Sequence, residues 1–294
     1  MRWSPGGKSS DIDDLRGQSA GGFGGGGLRI GGGLGIGGVI LLLILSAVTG
    51  TDLTSFLGDG GVDPTAPGPS APAPSPSGNA GYVSSSPDEE RLVQFVSFVL
   101  DDAQQTWDQI LSNRYQHTRL VLFRDAVDSA CGFAESATGP FYCPRDHRVY
   151  IDLGFYDELK RRFGAPGEFA QAYVLTHEIG HHVQSLLGTE ERVRQAQQQD
   201  PRAVNELSVR MELQADCYAG IWGHSTSQRN ILEQGDVEAG LNAAAAIGDD
   251  RIQRMSGTRV APERFTHGSS AQRVEWFKRG LQSGRLDACD TFGR

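Results

Sequence analysis

The chain has 294 residues, a formal charge of −9 and 39 glycines. That length accommodates one or two domains, and the acidic balance argues against a nucleic-acid partner, because no Lys/Arg stripe follows Ser86. Much of the first 87 residues is low-complexity sequence, while the rest reads as one globular unit of roughly 200 residues, enough for a sizeable core.

Residues 1–33 are polar and then glycine-rich (GGFGGGGLRIGGG). They hold too little apolar surface to offset the entropy of ordering, so disorder is expected. Gly33, Gly35 and Gly38 fit G-x-G-x-x-G, but no strand precedes them, so no dinucleotide site is read there. From Leu34 the chain runs uncharged to Gly50 (LGIGGVILLLILSAVTG), without the polar face of a soluble helix, and a single transmembrane helix is expected over 34–50. Arg2, Lys8, Arg16 and Arg29 precede this run and no basic residue follows for about 40 positions, so the positive-inside rule places the N-terminus in the cytoplasm and the rest outside. A signal peptide cleaved near Ser46–Gly50 is the rival reading, disfavoured by the long leading region. Gly27, Gly31 and Gly35 have helix-dimer spacing but lie at or before the membrane edge. The Pro/Ala/Ser-rich stretch within 51–85 reads as an extended tether.

The domain expected over 86–294 opens on Ser86-Pro-Asp-Glu89, a capping box with Pro at the first helical position, followed by apolar residues at helical spacing. His147–Tyr156 alternates with β-branched and aromatic residues and reads as a strand. Leu159–Phe163 (LKRRF), the densest basic run, reads as a solvated helix end. Pro166 and Gly167 break the chain before a helix carrying VLTHEIGHHVQSLLG. Asp200-Pro201 starts another helix, to about Gly223, and Ser269–Gln272 caps a last one. Helices dominate a few strands, so the fold class is α+β, mostly helical with a small sheet. Cys131, Cys143, Cys217 and Cys289 all follow the apolar run, on the expected oxidising side, and their even count suggests two disulfides. Three pairings can be written; Cys131–Cys143 with Cys217–Cys289 is preferred. A Cys₄ metal site lacks the C-x₂-C spacing it would need.

His177, Glu178 and His181 spell H-E-x-x-H. Residues four apart on a helix stand one above the other, so the two imidazoles can hold one cation while Glu178 reaches a water beside it. A catalytic zinc needs a third protein ligand. No third histidine follows at the three-histidine spacing, so a downstream carboxylate is expected. Glu212 and Asp216, four apart, supply a ligand and a partner for the outer N–H of His177; Glu206 is the competing ligand. His182 points about 100° away from His181 and is expected to support the site rather than bind metal. His117, His147 and His224 carry no partner pattern.

With these residues in view, the chain resembles the bacterial neutral zinc metallopeptidase family of single-span proteins with a Gly-rich N-terminus. The resemblance rests on MRW, ACGFAESATGPFYCPRDHRVYIDLGFY, THEIGHHVQ, ELQADCYAGIW and THGSSAQRVEWF, and covers almost the whole chain; only the tether is longer than is typical. It implies a zincin-like fold near the gluzincins, Zn²⁺ on His177, His181 and Glu212, and Glu178 as general base in peptide-bond hydrolysis by zinc-activated water. His267 is the candidate for stabilising the oxyanion, with Tyr218 and Tyr173 as alternatives. The strand Val149–Leu153 could align an extended peptide. The expected partners are a peptide or protein substrate and a membrane. Two alternatives are an exported zinc module without catalysis, for which Glu178 would have no use, and a zinc amidase acting on cell-wall peptides, which the motif barely separates from a peptidase and against which stands only the lack of a carbohydrate- or peptidoglycan-binding repeat in the sequence.

Overall fold

The computed structural model describes residues 1–17 and 86–293. The expected anchor (34–50), the tether (51–85) and residues 18–33 lie outside the described residues. Among the described residues, no helix is long and apolar enough to cross a membrane.

A four-stranded sheet has the order β1-β2-β6-β5, with β1 (Ile12–Asp14), β2 (Arg119–Phe123), β5 (Phe141–Cys143) and β6 (Arg148–Asp152). β1, β2 and β6 run parallel, and β5 is the antiparallel edge. The period-2 alternation of the strands sorts their side chains between two cores. Leu120, Leu122, Val149 and Ile151 face the main helical core, while Val121, Phe123 and Tyr150 face a smaller one. The smaller core also takes Val127 and Ala134, from a hairpin of β3 (Ala126–Ser129) and β4 (Gly132–Glu135). The Cys131–Cys143 disulfide staples this hairpin to the edge strand.

Strand β6 is shorter than the alternation of His147–Tyr156 suggests, because α2 (Gly154–Arg161) begins two residues after it. The Asp152 side chain accepts from the Gly154 N–H at 2.8 Å and turns the chain into that helix. Both sides of β6 are taken, by β2 and β5, so the expected pairing of a peptide with Val149–Leu153 has no free edge there.

The helices are α1 (Pro87–Leu111), α3 (Glu168–Leu186), α4 (Thr189–Gln199), α5 (Val204–Gln228), α6 (Asp236–Ala246), α7 (Asp249–Met255) and α8 (Ser270–Ser283). Ser86 caps α1 by accepting from the Glu89 N–H, but the Glu89 side chain turns to Arg16 and Arg124 instead of closing the box. Ser269 and Gln272 form a complete capping box on α8. α3 and α5 are central helices, apolar on most sides, and buried accordingly. They pack closely where Gly180 meets Ala215: a Cβ at Gly180 would sit 3.0 Å from the Ala215 carbonyl oxygen.

α8 lies against α5 at a still closer contact. A Cβ on Gly280 would overlap the Cys217 carbonyl, and the Cys217–Cys289 disulfide ties the chain just beyond α8 to the same turn of α5. No cysteine is free, and the bonds follow the preferred pairing. Gly280→Ala forces two helix backbones apart, so it is expected to cost about 3 kcal/mol or more, at the upper end of overpacking effects. Urea unfolding of the variant with an unchanged m-value measures this; a loss under 1 kcal/mol would show that the helices can slide to make room.

Residues 1–17 overturn the expectation of disorder at the N-terminus. Ile12 is buried, and β1 extends the sheet beside β2. The Trp3 ring lies 5.3 Å from that of Phe95, and its Nε1 donates to Glu168 at 3.0 Å. Asp13 pairs with Arg119, and Gln104 donates to Asp11 at 2.8 Å. The glycine run that follows had masked a short segment with two apolar anchors and a set of charges matched to the domain.

Candidate metal centre and active site

α3 presents His177 and His181 on one face, four residues apart as the helical repeat dictates. Their rings stand nearly perpendicular, with centroids 4.8 Å apart. α5 brings Glu212 to them: one carboxylate oxygen lies 3.2 Å from His177 Nε2 and the other 3.5 Å from His181 Nε2. One ligand atom from each of the three falls within 4.8 Å of the others, and among the described residues no other such group exists. Glu206, the competing carboxylate, is exposed and paired with Arg210.

The outer nitrogens explain why both Nε2 atoms converge. His177 Nδ1 meets Asp216 at 2.9 Å. His181 Nδ1 meets Gln184 Oε1 at 2.8 Å, and the Gln184 amide is itself fixed by donation to the Met211 carbonyl. With Nδ1 of each ring engaged, Nε2 is the atom left to bind, the arrangement that fixes tautomer and orientation in metal-binding histidines. Two imidazoles and a carboxylate held in this way fit a divalent ion such as zinc.

Electrostatics agree. Burial opposes a proton on His177, but the Asp216 carboxylate and then Glu212 outweigh it and push the pKa up to about 9. Glu212 itself is held well below the usual carboxylate range: burial works against the charge, and His181 and His177 more than offset it. Asp216 and Glu212 bring two negative charges against the single positive charge of Arg273, so the site favours a cation.

Arg273, from α8, is 1 % exposed. Its guanidinium grips Asp216 with two donors at 2.9 Å each and lies 4.0 Å from Glu212. Tyr173 donates to the same Asp216 oxygen that meets His177. Tyr173 is therefore a support for Asp216, and Tyr218 packs edge-on against Trp107 at 5.5 Å; neither lines the cavity beside the site.

That cavity, of about 1360 Å³, is lined by His177, Glu178, His181, Glu212, His267 and Arg273, with walls from the β3–β4 hairpin, α2 and α7. Burial pushes the Glu178 carboxyl up to about 7, against the pull of His177, and the Tyr142 backbone N–H beside it draws it down again. Tyr142 belongs to the edge strand, so β5 borders Glu178.

His267 reaches the cavity from the loop before α8. Asp249, at the start of α7, holds it: its carboxylate accepts from the backbone N–H of Thr266, His267 and Gly268 and lies 3.1 Å from His267 Nδ1. Asp249 and Arg273 went unrecognised in the sequence. Arg273 did leave a signal, since it shares the buried face of α8 with Phe277 and Gly280. His182 binds the Gln116 carbonyl and Tyr142, and burial lowers its pKa to about 4. His117 bridges Asp11 and Asp108, and His224 meets the Leu281 carbonyl.

The chain is thus a mostly helical α+β domain with, at the wall of a large cavity, a His-His-Glu cluster that could hold a metal ion. The chain belongs to the family described as "Putative neutral zinc metallopeptidase", whose sequence model matches residues 1–292. It is 47 % identical over 301 residues to "Uncharacterized protein YpfJ" of Escherichia coli (strain K12), covering 100 % of this chain and 99 % of that one. It is 44 % identical over 197 residues to "Uncharacterized protein Rv2575" of Mycobacterium tuberculosis, covering 63 % of this chain and 66 % of that one. No solved structure matches.

Proposed function

We propose that the protein is a zinc-dependent endopeptidase, with His177, His181 and Glu212 as metal ligands and Glu178 as general base. The observation that carries this reading is Glu178. A buried carboxyl poised near neutrality, beside the ligand cluster and on the wall of a cavity large enough for a peptide, suits a group that takes and returns a proton. Bound zinc would polarise the scissile carbonyl and acidify the attacking water. Glu178 takes the proton from that water and delivers it to the leaving amine. Burial opposes a proton on His267, but Asp249 and Glu212 raise its pKa and favour the doubly protonated ring, whose Nδ1–H donates to Asp249 and whose Nε2–H donates to the oxyanion as it forms. Arg273 and Asp216 keep the His177 ring in place through the cycle.

The two disulfides and the absence of free cysteine favour an oxidising compartment outside the cytoplasm. The test is cleavage of a broad peptide library by the full chain, before and after metal removal. Chelation is expected to abolish cleavage and about one equivalent of zinc to restore it, with proton release near pH 7, because His177 must shed the proton that its carboxylates hold. Cleavage that persists in the stripped protein would sink the reading. Restored zinc binding with no cleavage would leave a zinc module without catalysis.

A further inference from the structure

The N-terminal segment and the metal-binding domain form one sheet, and this constrains where the chain can go between them. β1 pairs with β2 through three consecutive residues, Ile12 with Leu120, Asp13 with Val121 and Asp14 with Leu122. Arg16, its side chain 8 % exposed, bonds Asp14, Glu89 at 2.9 Å and Glu90 at 3.2 Å. Since Arg16 touches Glu89, the chain departs at Gly17 and returns at Ser86 within roughly 15 Å, the reach of two extended side chains. The hydrocarbon layer of a bilayer is about 30 Å thick. Residues 1–17 cannot hydrogen-bond to β2 from the other side of it.

We propose that residues 1–17 and 86–293 face the same compartment. The single-pass reading, with the N-terminus on one side and the metal centre on the other, is incompatible with the shared sheet. The apolar run over 34–50 has the length for one helical crossing, not for the pair that a return would need. The proposal is independent of the peptidase reading.

The test uses the full chain expressed in a bacterium, with a recognition site for a sequence-specific protease placed after Gly17 in one version and after Arg294 in another. Each is treated in intact spheroplasts and in sealed inverted vesicles. Both sites are expected to be cut in the same preparation and spared in the other; cutting in opposite preparations overturns the proposal. Arg16→Glu gives a second readout in the same membranes. If the segment is docked, the domain in the variant is digested several-fold faster by a general protease added on its own side. An unchanged rate means that the segment lies elsewhere, and the proposal fails.

Discussion

Glu178→Gln is expected to lower kcat by about a thousandfold while the protein still binds about one zinc per chain, within the 10²–10⁴ range for loss of a general acid–base group. The amide keeps the shape of the side chain and removes only its capacity to carry a proton. Glu178 is not one of the three clustered ligand residues, so metal binding is expected to survive. The fold should survive too, and the pKa gives the sign. A carboxyl raised from its ordinary value to about 7 stabilises the folded state below about pH 4.5, and that contribution is lost as pH rises toward 7. The metal-free wild type is thus burdened with a buried charge above neutrality, and the neutral variant is not. Its melting temperature at pH 8 is expected to equal or exceed that of wild type, both stripped of metal. Full turnover in the variant would remove Glu178 from the mechanism; low turnover accompanied by lost zinc or a collapsed melting transition would assign it a structural role instead.

The ligand cluster was legible in the sequence because its members are local pairs. His177 with His181, and Glu212 with Asp216, each sit four apart on a helix, and helical geometry alone turns each pair to one side. That the two pairs face each other depends on the packing at Gly180 and Ala215, which no spacing reveals. Asp249 and Arg273 were missed for the same reason: they act across 18 and 57 residues of chain, on His267 and Asp216. β1 is three residues long, too short for alternation to register, and a composition averaged over the glycines beside it hides Trp3 and Ile12. The expectation that Val149–Leu153 could align a peptide failed because strand order is non-local. β6 has the stronger strand sequence, and for that reason it is interior, while the shorter β5 is left at the edge beside Glu178.

Asp216→Ala is expected to cost about 3–5 kcal/mol of stability, the range for breaking a buried ion pair. For a domain of this size that is a fall in melting temperature of roughly 6–20 °C. The guanidinium of Arg273 would be left in the core without the carboxylate that takes its two strongest bonds, and Tyr173 would lose its acceptor. Zinc affinity should fall separately, by about 10–100-fold, because nothing would then fix the His177 ring. The two losses can be told apart. In Asp216→Leu combined with Arg273→Met the uncompensated charge is gone, so most of the stability should return. The zinc affinity should not, since His177 Nδ1 still has no carboxylate partner. If stability and affinity recover together, Asp216 acts on the metal only by keeping the domain folded. If the single Asp216→Ala variant melts within about a degree of wild type, the network around Arg273 is not what joins α5 to α8, and the glycine contact and the Cys217–Cys289 bond hold that interface without it.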